Sequence, residues 1–481
     1  MTDQLYMPKR VYIETVGCQM NVLDSELIVS GLVQAGYEVV DSPRDADTIL
    51  YNTCSVRQHA EDKIYSALGR LRPLKERKPE TIIGVLGCMA QKDQNLIFRR
   101  AAHVDLVVGP GQINRLPQIL AEVAAQPYRQ PRLEVSLDRR QARRSLVEES
   151  FAKFDPPRPA ELRASPFQAM VRIMFGCDKF CTYCIVPKVR GPEQSRPAAE
   201  IVEEVRRLAA DGCLEVTLLG QTVNSYKDAS TGRTLRLCDL LARLHEIAGL
   251  RRIKFVTNYP RHMSDDLLQA IRDLPKVSPY LHVPVQSGSN EQLRRMKRGY
   301  TVEDYREMIQ RIRATLPAAA ITSDFIVGFC GETEDDFQQS VELVHWARFK
   351  NSFIFKYSER PGTKAADTMP DDVPDEVKRR RNNELLAVQN AISLEDNRPL
   401  LGGDVEVLVE GPSKSAQKHA AASGEVVQLV GRGVQDHIVV FDGPPTLIGQ
   451  ILPVRIEKVD AFTLFGRLLS IPQSRQGPGN Q

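Results

Sequence analysis

The chain has 481 residues, with 64 Lys and Arg against 61 Asp and Glu, a formal net charge of +3 and 42% hydrophobic residues. That length allows about three domains at roughly 150 residues each, and the composition excludes disordered and collagen-like chains. No segment approaches the roughly 18 uninterrupted apolar residues of a membrane span, and MTDQLYMPKR lacks the apolar core of a signal peptide; the expectation is a cytoplasmic protein with no membrane partner, whose nine cysteines stay reduced as metal ligands or buried residues.

Residues 10–125 alternate short apolar runs with helical patterns. VYIETVG (11–17), YEVV (37–40), TILYN (48–52) and TIIGVLG (81–87) read as strands. Leu23, Leu27, Ile28 and Leu32 recur at helical spacing before Gly36, and a second helix follows over about 56–70. Strand, helix, strand predicts an open parallel α/β sheet. Cys18, Cys54 and Cys88 each follow a strand, and the carboxyl ends of parallel strands line one crevice, so the three thiols are expected to converge.

Residues 126–162 read as a solvated linker: prolines 127, 131, 156, 157 and 159 and arginines 139, 140, 143 and 144 stand with little apolar periodicity. Over 163–395 the alternation becomes regular, with strands expected in QAMVRIMF (168–175), EVTLLG (215–220), RIKFVTN (252–258), YLHVPV (280–285), AITSDFIVGF (320–329) and NSFIFKYS (351–358). Amphipathic helices lie between them, as at 198–212 and 335–349, the latter carrying Trp346 as a core residue. Six such units predict a partial parallel (β/α)6 barrel with its chemistry at the strand carboxyl ends. KRRR (378–381) reads as the exposed face of a helix, and five short strands over 396–470 predict a small closed β-barrel like those that bind oligonucleotides.

The sharpest local signal is RIMFGCDKFCTYCIVPKVRG (172–191), in which Cys177, Cys181 and Cys184 have the spacing C-x3-C-x2-C directly after a strand. Three thiolates suit a [4Fe-4S] cluster with one iron free of protein ligands, an open position for a small molecule. The alternative is a zinc ion completed by Cys213, Cys238, Cys330 or a histidine.

With Tyr183 before the last cysteine, this segment resembles the radical S-adenosylmethionine superfamily; VGCQMN, NTCSVR and GCMAQ extend the resemblance to the methylthiotransferases over nearly the whole chain. The resemblance implies two [4Fe-4S] clusters, one on Cys177, Cys181 and Cys184 and an auxiliary one on Cys18, Cys54 and Cys88. It also implies S-adenosylmethionine as cosubstrate and a terminal RNA-binding module of the TRAM kind. Tyr183, Gln221, Asn224, Gln286 and Gly328 would lie where the cosubstrate binds.

LLGQTVNSY (218–226), FVTNYPRHMSDDL (255–267), HVPVQSGSNEQLRRMKRGYT (282–301) and FKYSERPGTKAA (355–366) most resemble the branch acting on dimethylallylated adenosine. That implies methylthiolation of N6-dimethylallyladenosine at tRNA position 37, next to the anticodon. The other branches act on threonylcarbamoyladenosine in tRNA or on a ribosomal-protein aspartate, and a non-catalytic Fe–S protein that binds RNA is the rival from another class. Expected partners are the tRNA anticodon loop, an electron donor such as flavodoxin or ferredoxin, and a system delivering sulfur or Fe–S clusters; the chain is expected to be a monomer. Arg294, Arg295, Lys297, Arg298 and Arg432 are expected to hold phosphates.

Overall fold

The computed structural model describes residues 9–55, 58–126, 130–135, 157–230, 232–418 and 426–469. It divides into two compact units: Met1–Tyr259 with Arg295–Arg298 and Ser358–Asp371, and Pro260–Arg294 with Gly299–Tyr357 and Asp372–Gln481.

In the first unit, β1 (Lys9–Val16), β2 (Tyr37–Val39), β3 (Thr48–Thr53), β4 (Ile82–Gly87), β5 (Leu106–Val108) and β6 (Arg132–Glu134) form one parallel sheet in the order β2-β1-β3-β4-β5-β6. All side chains of β3 and β4 are buried, as expected of central parallel strands covered on both faces. Leu23, Leu27 and Leu32 of α1 (Gln19–Gln34) pack with Leu50, Leu86 and Leu106 on one side. Ile64, Leu68 and Leu71 of α2 (Gln58–Arg77) pack with Ile49, Ile83 and Val85 on the other. The chain leaves β1 to one side for β2 and crosses to the other for β3, so the topological switch falls between β1 and β3. Ligands of open α/β sheets bind outside the strand carboxyl ends at such a point.

The span 126–162 departs from a solvated linker where it is described. Arg132–Glu134 is the sheet's edge strand, too short for periodicity to reveal. Further on, Arg158 is buried and donates to Glu26 at 2.7 Å and Glu204 at 2.9 Å. Arginines 139, 140, 143 and 144 lie outside the described residues.

The expected strand 168–175 is two pieces. β7 (Gln168–Arg172) joins β8 (Glu215–Leu219) and β9 (Arg252–Phe255) in a parallel ladder, whereas Met174–Phe175 pairs antiparallel with Gln194–Ser195 and closes the cysteine-bearing segment into a loop. Within that loop runs the short helix α3 (Val186–Val189).

The second unit holds another parallel ladder, β10 (Tyr280–His282), β11 (Ala320–Val327) and β12 (Asn351–Lys356). The six barrel strands therefore occur as two three-stranded ladders. Trp346 is half-buried rather than core, with the Arg306 guanidinium over its ring. The KRRR run lies on α4 (Asp375–Asn397), but Lys378 and Arg381 turn inward, and Arg381 pairs with Glu332 at 2.7 Å. Positions three apart share one face of a helix, so only part of the run can be exposed. Asp404–Pro412, Val427–Gly433, Ile438–Gly443, Ile451–Val459 and Thr463–Leu468 close into the expected barrel around Val407, Val409, Leu429, Val439 and Val454.

Candidate iron–sulfur site

Register brings the first cysteine triad together. Val16 lies opposite Thr53, and Thr53 opposite Gly87. Cys54 and Cys88 directly follow their strands, Cys88 as the first residue of a short helix, and Cys18 is two residues past Val16, at the N-cap of α1. Cys54 and Cys88 are buried, whereas Cys18 is exposed at the mouth. A hydrogen bond from Cys54 and the nearby Arg190 guanidinium outweigh desolvation and bring the Cys18 thiol down to about 6. Burial pushes the Cys88 thiol up against the pull of Arg190.

The residues flanking these cysteines hold the crevice. A Cβ on Gly17 would lie 2.6 Å from Cys54 Cβ and 2.9 Å from Asn21 Oδ1. Gly87 has φ 88° and ψ −155°, a conformation essentially restricted to glycine, and a Cβ there would strike Asn52 Oδ1 and lie 2.8 Å from Thr53 O. Asn52 Nδ2 donates to Asn21 O and to Ser25 Oγ, both at 2.9 Å, and Asn21 Nδ2 donates to Asn52 Oδ1 at 3.2 Å. Cys18 Sγ donates to Asn21 Oδ1 at 3.2 Å. The asparagines of GCQMN and NTC thus form a buried scaffold for the thiols, a role that reading the cysteines alone missed.

The second triad lies on the loop after β7. Cys177 N donates to Gly191 O at 3.2 Å and Cys184 N to Cys181 O at 3.0 Å. Thr182 anchors the loop to the 295–298 strip, its N donating to Met296 O at 3.1 Å and its Oγ1 to Arg295 O at 2.9 Å. Desolvation raises the Cys177 and Cys184 thiols to about 11 and about 12. Arg298 corrects the phosphate-gripping expectation: it is buried, and its Nη1 donates to Cys181 Sγ at 3.3 Å and to the Tyr183 hydroxyl at 3.2 Å.

The remaining expected contacts fall as follows. Asn224 is engaged by the backbone, donating to Tyr259 O at 2.9 Å and accepting from Tyr259 N at 2.8 Å, which fixes the ring that Arg298 covers at 5.5 Å. Gln221 is half-buried two residues beyond β8. In the second unit, Gln286 is buried with φ 80°, prolonging the pairing with β11 through Gln286 N to Asp324 O and Ile326 N to Gln286 O, both 2.9 Å. Gly328, at φ 70°, ends β11 with its N–H on Glu332 Oε2 at 2.6 Å. Arg294 pairs with Glu291 at 2.6 Å, and Arg432 with Asp436 at 2.7 Å and Glu410 at 3.5 Å, so both arginines already have carboxylate partners.

Among the described residues no group of three or more His, Cys, Asp or Glu side chains closes around a single metal ion. The all-thiol donor sets suit iron–sulfur clusters, in which each sulfur takes a different iron and the thiols stand further apart. Cys213 and Cys330 are buried away from these roles, and Cys213 Sγ donates to Glu215 O at 3.2 Å.

Fold and site together define an α/β protein of the radical S-adenosylmethionine class. Residues 171–344 match the radical SAM superfamily, 10–109 the uncharacterized protein family UPF0004 and 400–469 the TRAM domain. The radical S-adenosylmethionine methyltransferase TsrM from Kitasatospora setae, solved with cobalamin and a [4Fe-4S] cluster, shares the fold at TM-score 0.52 and 14% identity over 75% of this chain and 77% of that one. The tRNA-2-methylthio-N(6)-dimethylallyladenosine synthase of Rhodopirellula baltica is 58% identical over 97% of this chain and 96% of its own, and that of Syntrophotalea carbinolica 44% identical over 93% and 97%. The chain belongs to the family of tRNA-2-methylthio-N(6)-dimethylallyladenosine synthases. Membership carries with it S-adenosylmethionine and a [4Fe-4S] cluster. No helix among the described residues is long and apolar enough to cross a membrane.

Proposed function

We propose that this chain methylthiolates N6-dimethylallyladenosine at tRNA position 37, next to the anticodon, by radical S-adenosylmethionine chemistry. The observation that carries the reading is the pair of thiol triads within one compact unit, Cys18, Cys54 and Cys88 at the sheet's switch point and Cys177, Cys181 and Cys184 on the loop after β7. In this reading the second triad holds the [4Fe-4S] cluster of the radical step and the first holds an auxiliary [4Fe-4S] cluster. When bound, the former supplies the electron that cleaves S-adenosylmethionine and the latter carries the sulfur to be transferred.

The chain's own groups do the rest. Arg298 fixes Cys181 and Tyr183 in one geometry, placing the tyrosine ring for the adenine of the cosubstrate. Asn224 acts through Tyr259, keeping that ring under Arg298. Gln221, Gln286 and Gly328 are assigned to the same cosubstrate. Cys18 at the exposed mouth leaves a path by which a base can approach the first triad. An anticodon-loop adenosine is single-stranded and can be splayed into a pocket without melting a helix. We assign 10–125 to the auxiliary site, 126–162 to the connection, 163–395 to the radical core and 396–470 to RNA binding. A cytoplasmic monomer fits, reduced by a flavodoxin or ferredoxin and supplied by a sulfur or Fe–S delivery system.

Nucleoside analysis of tRNA from a strain lacking the gene tests the substrate: the 2-methylthio derivative should vanish while N6-dimethylallyladenosine accumulates. A strain with unchanged 2-methylthio content would refute the reading. With anaerobically reconstituted protein, absence of 5'-deoxyadenosine would refute the radical step.

A further inference from the structure

The segment after the second triad reaches into the first. Cys184 is followed by Ile185 and by α3, and Ile185 and Val189 pack on Cys88 in a small buried cluster. Arg190, the next residue, is fully buried; its Nη2 donates to Asp24 Oδ2 at 2.7 Å, and its charge acts on both Cys18 and Cys88. The Phe175 ring lies 5.3 Å from its guanidinium carbon. Its other terminal nitrogen, Nη1, is buried without a well-aligned hydrogen-bond partner among the described residues, although the guanidinium lies near enough to the Cys88 sulfur to pull on that thiol by hydrogen bonding. An unsatisfied guanidinium N–H in such a place costs more than a neutral one, so an anionic acceptor completes the site.

We propose that Arg190 is the sulfur-binding residue of the auxiliary site: held by Asp24, it turns Nη1 toward the anionic sulfur carried there, sulfide or methanethiolate, and hydrogen-bonds it. The assignment rests on the auxiliary-cluster reading. Asp24 belongs to α1, which Cys18 caps, and Arg190 is six residues from Cys184, so the sulfur's position is tied to both triads. Charge-assisted donation suits the guanidinium, whose fork reaches Asp24 with one nitrogen and the sulfur with the other; a lysine offers a single nitrogen.

The test uses the full chain, reconstituted with iron and sulfide, desalted and titrated with sodium methanethiolate under the electron paramagnetic resonance signal of the reduced auxiliary cluster. Two variants are compared with wild type: Arg190→Lys, which keeps a cation beside Asp24, and the charge-balanced pair Arg190→Gln with Asp24→Asn. Both should load about eight irons, as two [4Fe-4S] clusters require. Both should bind methanethiolate about tenfold more weakly, as loss of one charge-assisted hydrogen bond implies, with S-adenosylmethionine affinity unchanged. Wild-type methanethiolate affinity in an iron-replete variant overturns the proposal. Iron loss in both variants also overturns it, because Arg190 would then hold the protein rather than the sulfur. A wild-type count of about four irons overturns the auxiliary-cluster reading itself, and the proposal with it.

Discussion

Gly87→Ala tests the proposed auxiliary site on Cys18, Cys54 and Cys88 apart from the second triad. The substitution forces alanine into φ 88° and ψ −155°, a cost of about 1–3 kcal/mol. Its Cβ also strikes Asn52 Oδ1 and comes within 2.8 Å of the Thr53 carbonyl, and crowding of this kind adds about 1–3 kcal/mol. Asn52 cannot yield freely, because its amide holds Asn21 and Ser25 beneath Cys18. The total of about 2–6 kcal/mol falls on the turn that presents Cys88. Gly212→Ala is the control: it has φ 84° and no atom within 4 Å of the added Cβ, so it carries the conformational cost alone. In anaerobically reconstituted protein, Gly87→Ala should drop from about eight irons to about four while still forming 5'-deoxyadenosine, and Gly212→Ala should retain all eight. Equal iron contents in the two variants would show that the crowding around Asn52 does not govern the site, and the steric reasoning would be wrong.

Three further outcomes follow from buried charge. Arg298→Gln removes a cationic donor from Cys181 Sγ, so the radical cluster's reduction potential should become more negative and cleavage of S-adenosylmethionine should slow by about tenfold, checked by redox titration beside product formation. Arg158→Met leaves Glu26 without its buried cation, while Glu204 keeps Arg196 at 2.8 Å, and should destabilise the first unit by about 3 kcal/mol, read as a lowered unfolding midpoint in denaturant. His437 in the terminal barrel is held down to about 3, first by burial and then by Lys350. Its folded pKa lies below the unfolded value of about 6.5, so the unfolded chain takes up the proton first and stability falls as pH drops from about 6.5 toward 3. Between pH 7 and 5 the wild type should lose about 1–2 kcal/mol more than His437→Gln, measured by unfolding at each pH.

The strands and cysteines were legible because their signals are local. Apolar runs punctuated by turns marked the sheets, and six thiols showed as short spacings or as residues following strands. Some charged residues were misread and others carried no signal at all, because their partners are remote in sequence. Arg190 meets Asp24 across 166 positions and Arg158 meets Glu26 across 132. On α1, the helical period of Leu23, Leu27 and Ile28 located one buried stripe, but Asp24, Ser25 and Glu26 between them are buried as well. Amphipathic reading assigns such residues to water. Here the helix faces the sheet on one side and the arginines and asparagines of the cysteine crevice on the other. Arg298 failed in the same way: a basic run looked like a phosphate grip until Cys181 and Tyr183 appeared beneath it.

The order of residues 172–191 then has a physical reason. Arg172 and Arg190, at the two ends of the segment, both approach Asp24, at 3.9 Å and 2.7 Å, and both stand against Phe175. The segment thus starts and ends at the same carboxylate, with its own three cysteines lying in sequence between the two arginines. Flexible surface lysines could hold two sites near each other, but not at a fixed separation, because long exposed side chains lose little freedom there and exposed ion pairs contribute about 1 kcal/mol at most. A buried carboxylate flanked by two guanidinium groups and an aromatic ring has far fewer arrangements, since breaking it strands a charge away from water. In the proposed reaction, where sulfur must meet a short-lived carbon radical, such a joint would keep the two triads in one geometry before the substrate arrives, so that orientation is not lost at the moment of transfer.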